Sequence, residues 1–599
     1  MSESEMEALK RHILSHDPTG QQIDAIFSEN LEFLLRAAPG SGKTWTSCRR
    51  FIWRGANWHY KVGGLALLSF TNIAIREFQE SAIRLGKQEL LSDPNYVGTF
   101  DSFVERFILT PYGHTIKNTP RSPKLFISPR LGDRSNESFI ISLPSKNGRR
   151  QNIFAWEIVP CRNEKEVEFR DKRRNLIPKD YALRVLDAFM SRGFYTHEQR
   201  CFWACVLLSK NHRITEVISR RFPEIIIDEA QDSNPWLIVL LNFLRNQGSK
   251  ITLIGDPDQC IYEFNYASST SLQSLKEKWN LDEKPLSQSF RFNNAIAQSV
   301  KRIGLNPELS GYGESENPHF RPYIIRDEPG SFAASIATFS QLLDCMKIER
   351  TSSAILCRGR KQLNAIRGQV AYTNLKGVSK DLAKASFLRD CHNDFPGAAK
   401  IVTAVLKDLS EDHCFWEDFD ENQDSDEYFE FKFEIWDFVK SAEKLPSSQV
   451  FADEWLSQIR RTLPLLVRRL GLSDIPNLNR KLTMRGLAED RKKAPLFIPE
   501  QSFPNIRHET IHGVKGESID AVLLLGDAGK FWTPVVKAIQ SGENSEVRRL
   551  AYVAMTRARH LLVLGLPSSH YETYSNIWKE WGFEELDLGK KFGAVNANP

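Results

Sequence analysis

A short glycine-rich segment carries residue types suited to binding phosphate. Residues 37–44 read Ala-Ala-Pro-Gly-Ser-Gly-Lys-Thr and follow an apolar run at 33–35. Glycine tolerates the positive φ angles that turn backbone N–H groups inward around an anion. The Lys43 ammonium would contact the β- and γ-phosphates of a nucleoside triphosphate, and the Thr44 hydroxyl would bind Mg²⁺. The candidate nucleotide-binding residues here are Ala38, Pro39, Gly40, Ser41, Gly42, Lys43 and Thr44.

Paired carboxylates follow a second apolar segment. Residues 222–227 predict a buried strand, and Asp228 and Glu229 come directly after it. Asp228 would hold Mg²⁺, and Glu229 would orient and deprotonate the attacking water. Two alternatives stay open: exposed carboxylates after a strand, and a chance Gly-Lys-Thr loop, because Ala37 stands where the general pattern begins with Gly.

A third apolar segment, residues 251–254, ends in Gly-Asp-Pro-Asp-Gln. The Gln259 amide both donates and accepts hydrogen bonds, which suits a group that senses a γ-phosphate and moves upon hydrolysis. Taken alone, residues 255–258 are equally a turn. Parallel α/β sheets place their chemistry at the carboxyl ends of strands, so the three segments together predict a magnesium-dependent NTPase on such a sheet.

The composition is that of an ordinary globular protein with several domains. The 599 residues are 41% hydrophobic and 26% charged, and a single core does not grow to that length. A net charge of +5 permits nucleic-acid binding through local patches but does not by itself indicate it. No apolar run approaches the roughly 18 residues that cross a bilayer, and residues 1–5 are polar, which favours a cytoplasmic location. The 9 cysteines are scattered, and Cys201 and Cys205 on one predicted helix face favour packing over metal binding.

A series of segments in fixed order resembles the motifs of the UvrD/Rep-like superfamily 1A DNA helicases. The phosphate loop and the paired carboxylates are similar to motifs I and II of that family. The other segments are residues 17–22 (Q motif), 69–74 (Ia), 98–103 (Ib), 255–267 (III), 286–291 (IV), 510–517 (V) and 548–558 (VI).

The resemblance implies an α/β fold with two RecA-like P-loop NTPase motor domains and inserted 1B and 2B subdomains. The ATP site would then lie between the two motor domains. The implied bounds are 1–110 with 200–280 for domain 1A, 111–199 for the 1B insertion, 281–370 with 500–599 for domain 2A, and 371–499 for a 2B-like insertion.

The resemblance also implies roles for residues outside the phosphate loop. Gln22 would read the adenine, and Phe290 would stack on it. Arg291 and Arg557 would bring guanidinium groups to the γ-phosphate from the second motor domain, as arginine fingers do. Glu517 would contact the ribose, although it stands one place earlier than in the usual motif V. The candidate catalytic residues are thus Lys43, Asp228, Glu229, Gln259, Arg291 and Arg557.

The DNA track implied by the resemblance combines backbone contacts with aromatic faces for the bases. Core packing is an equal alternative for the motif Ia and Ib phenylalanines, which adjoin predicted strands or helices. Motif III commonly closes with Arg-Gly-Ala, whereas this chain has Asn265-Tyr266-Ala267, which would remove one phosphate contact. The candidate DNA-binding residues are Phe70, Thr71, Asn72, Phe100, Tyr262, Phe264 and His512.

Charge is unevenly distributed in the two predicted insertions. The basic run at 172–174 favours a solvated surface over a DNA contact. In the 2B-like insertion, residues 408–437 are acidic and rich in aromatic residues, and the basic clusters at 460–461, 468–469 and 491–493 follow. An acidic segment repels DNA phosphates, so it would dock a protein partner or imitate DNA, unless it is a solvated loop. Its carboxylates lack the strand lysine of a nuclease site.

Two functions fit these features. The first is an ATP-dependent translocase or helicase on single-stranded or tailed duplex DNA, for which the resemblance implies 3′-to-5′ polarity. The second is a DNA- or nucleotide-sensing ATPase that regulates a partner nuclease in a hetero-oligomer and unwinds little by itself. Residues 98–105 resemble the helicase-like subunit of the Gabija antiphage defence system, whose partner is a nuclease with its own ATPase domain. A catalytically dead scaffold is disfavoured because all the candidate catalytic residues are present.

Overall fold

The chain forms two compact units. One unit comprises Met1–Ile355 and Ile511–Pro599, and the other comprises Leu356–Thr510. No helix of the described residues is long and apolar enough to cross a membrane. A computed structural model describes residues 3–126, 137–144, 150–162, 166–261, 269–327, 332–367, 369–370, 375–392, 394–410, 415–416, 419, 426–473, 475–485, 497–498 and 506–587.

The first unit is built on a six-stranded parallel sheet. Its inner strands Leu65–Ser69 and Glu224–Ile227 are buried along their whole length, as expected for strands covered on both faces. The three strands predicted before the phosphate loop, the carboxylates and Gln259 are confirmed. In spatial order the strands are Asp282–Leu286, Phe33–Ala37, Lys250–Gly255, Glu224–Ile227, Leu65–Ser69 and Tyr96–Thr99.

The edge strand Asp282–Leu286 corrects one predicted boundary. It pairs in parallel with Phe33–Ala37, so residues 282–286 complete the first sheet, whereas the sequence pattern assigns them to domain 2A. The strand reads Asp-Glu-Lys-Pro-Leu, and neither this composition nor Pro285 suggests a strand. Proline is tolerated there because an edge strand leaves one row of its N–H groups unpaired.

A second parallel sheet lies in the same unit. The strands Ile519–Leu525, Ala558–Pro567, Pro322–Asp327 and Glu584–Glu585 pair in parallel in that spatial order. The strand Ser353–Cys357 flanks Ile519–Leu525. Two parallel sheets connected by helices confirm the predicted α/β class with two motor lobes.

The residues predicted as a 1B insertion contribute short strands and helices that pack into the apolar core of the first sheet. Cys201 and Cys205 lie in that core, and Cys205 donates to the Trp236 carbonyl at 3.3 Å, so the packing interpretation is confirmed. The strands are Lys124–Leu125 with Phe194–Tyr195, Ile140–Pro144 with Arg150–Phe154, and Val159–Arg162 with Val167–Arg170 and Leu176–Ile177.

Helices connect the strands of the first unit, as parallel pairing requires. Several begin at a side-chain cap; Asn234, for example, accepts from the Leu237 N–H at 2.9 Å. The α-helices are Glu3–Leu14, Gly20–Phe27, Lys43–Ala56, Asn72–Arg84, Phe100–Val104, Thr110–Tyr112, Lys179–Ser191, Arg200–Lys210, His212–Arg221, Pro235–Asn246, Ser269–Trp279, Asn294–Ile303, Ala333–Met346, Thr533–Gln540, Glu546–Met555 and Ser568–Glu580.

The second unit is mostly helical and has its own apolar core. Trp455 is fully buried there and donates to the Ser386 hydroxyl at 3.1 Å. Predicted charges at 411–412, 417–418, 420–421, 424 and 491–493 lie outside the described residues. The helices are Arg360–Arg367, Val378–His392, Phe395–Leu409, Asp426–Lys440, Ala452–Arg469 and Leu478–Lys481, and the strands are Gln369–Val370, Phe497–Ile498 and Arg507–Thr510.

Candidate nucleotide and DNA site

The phosphate loop, residues 38–42, connects a buried strand to the N-terminus of Lys43–Ala56. Gly40 and Gly42 have φ angles of 74° and 77°, the left-handed region that glycine adopts without cost. A Cβ on Gly42 would lie 2.8 Å from the Gln22 amide nitrogen, and a Cβ on Gly40 would lie 2.5 Å from the Arg291 Cβ. Both glycines are therefore required by conformation and by space, and the loop is held between the Q motif and motif IV.

Gln22 is buried beneath this loop. Its Oε1 accepts from the Thr19 N–H at 3.0 Å, and its Nε2 donates to the Ser41 carbonyl at 3.1 Å. Both ends of the amide thus hold the helix start and the loop together. The contact of Gln22 with adenine stays a prediction.

The predicted catalytic carboxylate and lysine lie in direct contact. Lys43 Nζ is 2.6 Å from Glu229 Oε1. Glu229 has a φ of 57°, an uncommon conformation for a residue with a Cβ, and strain of this kind concentrates at functional sites. Gln231 donates from Nε2 to the Glu229 carboxylate and accepts from the Asp256 N–H at 3.1 Å. Gln231 therefore joins motif II to motif III.

The two neighbouring carboxylates are tuned in opposite directions. Burial favours the neutral form of both. For Glu229, the charges of Lys43 and Lys515 outweigh burial and lower the pKa of the carboxyl. For Asp228, burial prevails over the attraction of Lys43 and raises the pKa. Glu229 is consequently ionised at neutral pH, as a group that accepts a proton from water must be.

The chemistry of Asp228 and Thr44 fits a magnesium ion. Asp228 lies at the buried end of its strand, and its Oδ1 has no hydrogen-bond partner within the described part of the chain. A buried carboxylate oxygen without a donor suits coordination by a hard cation. Thr44 is the second residue of helix Lys43–Ala56, directly after the phosphate loop. No cluster of three or more His, Cys, Asp or Glu ligands occurs among the residues that the structure describes.

Gln259 lies at the junction between the two sheets. Its Nε2 donates to the Asp256 carboxylate at 2.8 Å, and its Oε1 accepts from the Arg557 guanidinium at 3.2 Å. Tyr552 adds a second link between the same segments through its hydroxyl, 3.4 Å from the Asp256 carboxylate. The predicted γ-phosphate sensor is therefore in contact with an arginine from the second sheet.

Arg557 is fully buried, and protein oxygens hold it from several sides. Its Nε donates to the Val553 carbonyl at 3.0 Å, and one terminal nitrogen donates to the Glu517 carbonyl at 3.2 Å. Burial lowers the pKa of Arg557 to about 10, which leaves the guanidinium protonated at neutral pH. The guanidinium is therefore fixed in place, and one of its nitrogens contacts Gln259. Both features suit an arginine finger.

Arg291 occupies a different position from the predicted one. Its backbone lies beside the phosphate loop at the end of the first sheet, where Phe290 donates its N–H to the Gly40 carbonyl at 2.9 Å. Its guanidinium donates to the Thr556 carbonyl at 3.0 Å and the Ser518 hydroxyl at 2.8 Å. Arg291 therefore bridges the two lobes and does not project from the second alone. Burial and the charges of Arg557 and Arg559 lower its pKa to about 9.

Motif V contributes a second bridge between the lobes. Lys515 Nζ lies 2.7 Å from both carboxylate oxygens of Asp232, and each side chain is only 11% exposed. His512 lies 3.1 Å, through Nε2, from the Ile261 carbonyl. Lys515, Asp232 and Gln231 lie inside motifs V and II, but nothing in the sequence indicates the contacts that they make.

Lys515→Ala should lower DNA-stimulated ATP turnover by about tenfold, since site-to-site coupling is commonly 1–3 kcal/mol. ATP affinity should change little, because Lys515 does not line the phosphate loop. Steady-state ATPase rates with and without single-stranded DNA, together with a fluorescent-nucleotide titration, check this. Lys537→Ala, which removes an exposed lysine of the same lobe, is the control.

A second substitution separates coupling from folding. Lys515→Ala leaves the buried Asp232 carboxylate without its cation, which is destabilising. Adding Asp232→Asn to Lys515→Ala should restore thermal stability while the DNA stimulation stays low. Recovery of DNA stimulation in the double variant would show that the ion pair matters only for folding.

Besides His512, which contacts the Ile261 carbonyl, the candidate DNA-binding residues fall into four groups. Phe100 is 4% exposed and lies in the core, which favours the packing alternative over its predicted role as a base-stacking residue. Phe70 is partly buried against the same core. Thr71 and Asn72 are exposed at the N-terminus of Asn72–Arg84. Tyr262, Phe264 and Asn265-Tyr266-Ala267 lie outside the described residues.

Comparison with known proteins matches both lobes of this site. The family model for the UvrD/REP helicase N-terminal domain matches residues 19–126 and 187–280. The model for the UvrD-like helicase C-terminal domain matches residues 435–569. The matched segments include the phosphate loop, motifs II and III, and the helix and strand that flank Arg557.

Two curated relatives match along most of the chain, and a third matches less than half of it. DNA helicase II of Haemophilus influenzae is 22% identical over 93% of this chain and 84% of its own length. ATP-dependent DNA helicase Rep of Buchnera aphidicola subsp. Schizaphis graminum is 21% identical over 90% of this chain and 91% of its own. RecBCD enzyme subunit RecB of Borreliella burgdorferi is 24% identical over 42% of this chain and 24% of its own.

The fold defines a two-lobed P-loop protein, and its candidate nucleotide site lies at the junction of two parallel sheets. The chain belongs to the UvrD/Rep family of DNA helicases. It is accordingly an enzyme of the ATP-dependent DNA helicase class.

Proposed function

We propose that this chain is an ATP-dependent 3′-to-5′ DNA translocase that couples hydrolysis between its two lobes to movement on single-stranded DNA. The contact between Arg557 and Gln259, beside the Lys43–Glu229 pair, is the observation that carries this proposal. It places a second-lobe cation next to the first-lobe groups that would surround a γ-phosphate. The polarity rests on the family resemblance.

Nucleotide binding would begin at the phosphate loop. The N–H groups of Gly40 and Gly42 and the N-terminus of helix Lys43–Ala56 favour an anion there. The γ-phosphate would compete with Glu229 for the Lys43 ammonium. Thr44 and Asp228 would hold Mg²⁺, which neutralises developing phosphate charge when bound. Phe290, 50% exposed beside the loop, is free to stack on the adenine, and Glu517 would contact the ribose.

Hydrolysis would depend on the release of Glu229 from Lys43. Once Lys43 pairs with phosphate, the Glu229 carboxylate becomes available to orient a water molecule and accept its proton. Gln231 holds the carboxylate through a hydrogen bond to Oε2, whereas Lys43 contacts Oε1. Arg291 and Arg557 would stabilise the charge that develops on the transferred phosphoryl group.

Lobe movement would follow from the contacts that change with the γ-phosphate. Gln259 is hydrogen bonded to Arg557, and Asp232 is paired with Lys515, so motifs II and III both hold the second lobe. A γ-phosphate that attracts Arg557 would alter the Gln259 contact. Loss of that phosphate after hydrolysis would reverse the change. The repeated change in lobe position would move the protein along the single-stranded DNA.

The single-stranded DNA would pass the exposed N-terminus of helix Asn72–Arg84. Thr71 caps this helix by accepting from the Ala74 N–H at 3.2 Å, and Asn72 follows it at the surface. Helix N-termini of this kind bind DNA phosphates without reading sequence. His512, Phe70, Tyr262 and Phe264 are proposed as further contacts along the same path.

Translocation polarity tests the proposal. Streptavidin on a biotinylated oligonucleotide blocks a moving motor and is displaced from the end that the motor reaches. We expect ATP-dependent displacement from the 5′ end and little from the 3′ end. Faster displacement from the 3′ end would contradict the proposed polarity.

A second candidate function is a sensing ATPase that regulates a partner nuclease. It is favoured by the match to RecB, which is named as a subunit of a larger enzyme, and by the resemblance of residues 98–105 to the Gabija helicase-like subunit. The isolated chain would then hydrolyse ATP on DNA without separating strands. A partner nuclease whose rate depends on ATP hydrolysis by this chain would support this candidate.

A further inference from the structure

Helix Asp426–Lys440 in the second unit has apolar residues on two opposite faces. Phe431, Ile435, Phe438 and Val439 point into the core of that unit. Phe429, Phe433 and Trp436 follow the i, i+4, i+7 spacing and lie on the opposite side of the helix. We name these three residues the aromatic stripe.

The aromatic stripe is exposed to solvent. Phe429, Phe433 and Trp436 are 59%, 68% and 41% exposed. No other helix in the described ranges carries three exposed large hydrophobic residues. A helix that needs only one apolar face to dock on its own core gains nothing in stability from the second. Contiguous exposed aromatic surface of this kind marks a binding site.

An acidic ridge borders the aromatic stripe. Asp426, Glu430, Glu434 and Asp437 lie together on the next sector of the helix. Five carboxylates against two lysines give the helix a net charge of −3, in a chain whose net charge is +5. Glu434 is 3.7 Å from Arg469, and Asp437 pairs with Lys444, whereas Asp426 and Glu430 are exposed.

The negative charge of the acidic ridge indicates which kind of partner would bind the aromatic stripe. Single-stranded DNA uses aromatic faces, but it also needs a positively charged groove for its phosphates, and the ridge is negative. A second copy of the chain in a two-fold dimer would oppose the ridge to itself. A basic protein segment satisfies both features, because its apolar residues cover the stripe and its lysines or arginines meet the carboxylates.

We propose that the aromatic stripe and its acidic ridge dock an amphipathic helix of a partner protein, with apolar anchors at helical spacing and a basic flank. Aromatic side chains supply large contact area at low entropic cost, which is why they dominate binding at such surfaces. Leu465, 55% exposed on helix Ala452–Arg469, lines a pocket together with Glu434 and Asp437 and so adds apolar area on the side of the acidic ridge. The proposal is independent of the proposed ATP site.

Fluorescence anisotropy with two designed peptides tests the proposal on the full-length chain. Both peptides are helical, about 20 residues long so that the helix is stable, and carry leucines at i, i+4 and i+7. One has a lysine flank and the other a glutamate flank. We expect the lysine peptide to bind about tenfold or more tightly than the glutamate peptide, and the combined Phe429→Ser, Phe433→Ser and Trp436→Ser variant to lose that affinity. Phe451→Ser, which removes an exposed phenylalanine elsewhere in the unit, should bind as the wild type does.

A second variant guards against misfolding as an explanation. Asp426→Lys with Glu430→Lys leaves the aromatic stripe intact and should reverse the preference to the glutamate peptide. Equal binding of the two peptides by the wild type, or unchanged binding by the serine variant, would overturn the proposal. So would a serine variant that instead loses oligonucleotide binding or loses self-association in sedimentation, since the occupant would then be DNA or a second copy.

Discussion

Glu229→Gln should lower DNA-stimulated ATP turnover by about a hundredfold or more, the usual cost of removing a general base. The amide keeps the size of the side chain and its hydrogen bond with Gln231 but accepts no proton from water. ATP affinity should be retained, because Lys43 remains available to the phosphates. Steady-state ATPase rates and a fluorescent-nucleotide titration measure the two effects separately.

Two further variants show whether the effect of Glu229→Gln on turnover is specific to the catalytic step and to this site. Lys43→Ala should weaken nucleotide binding itself, in contrast to Glu229→Gln. Glu216→Gln, in an exposed pair with Arg220, makes the same chemical change far from the site and should leave turnover unaltered. Wild-type turnover in Glu229→Gln, with the protein folded, would remove Glu229 from the proposed catalytic role.

Arg557→Ala should lower turnover by about a thousandfold, within the range known for arginine fingers. The buried guanidinium contacts Gln259, Val553 and Glu517, so alanine removes the cation and leaves buried acceptors unsatisfied. Arg557→Lys keeps a positive charge and should remain slow, since an ammonium does not reproduce the planar fork. Single-turnover hydrolysis and thermal unfolding, measured on the same samples, separate chemistry from stability.

The neighbouring Arg559 provides the control. It is two positions away, half exposed and paired with Asp520 at 3.2 Å, and Arg559→Ala should hydrolyse ATP at nearly the wild-type rate. Gln259→Ala combined with Arg557→Ala should cost less than the sum of the two single effects, because the residues act as one contact. Additive effects would show that the Arg557–Gln259 contact is not part of the hydrolytic step.

The sequence predicts the chemistry of the first lobe because that chemistry is local. Lys43 and Glu229 follow strands whose apolar pattern is strong, so their places at the sheet edge could be inferred. The contacts that join the lobes could not be. Lys515 and Asp232 lie 283 positions apart in the sequence, and only the packing of two sheets brings them together.

Three positions show where local patterns fail. The strand Asp282–Leu286 has charged residues and a proline, and its sheet position depends on pairing with Phe33–Ala37. Phe100 has the same local signal as an exposed stacking residue, and only the tertiary core decides that it is buried. The aromatic stripe becomes visible only when the opposite face of its helix is known to be occupied.

Strand separation by the isolated, full-length chain tests the central claim most directly. The substrate is a fluorescently labelled duplex with a 3′ single-stranded tail, and the variants are the wild type and Glu229→Gln. We predict that the wild type separates the strands in an ATP- and Mg²⁺-dependent reaction and that Glu229→Gln does not. Rapid, DNA-stimulated ATP hydrolysis by the wild type without strand separation would contradict the helicase account.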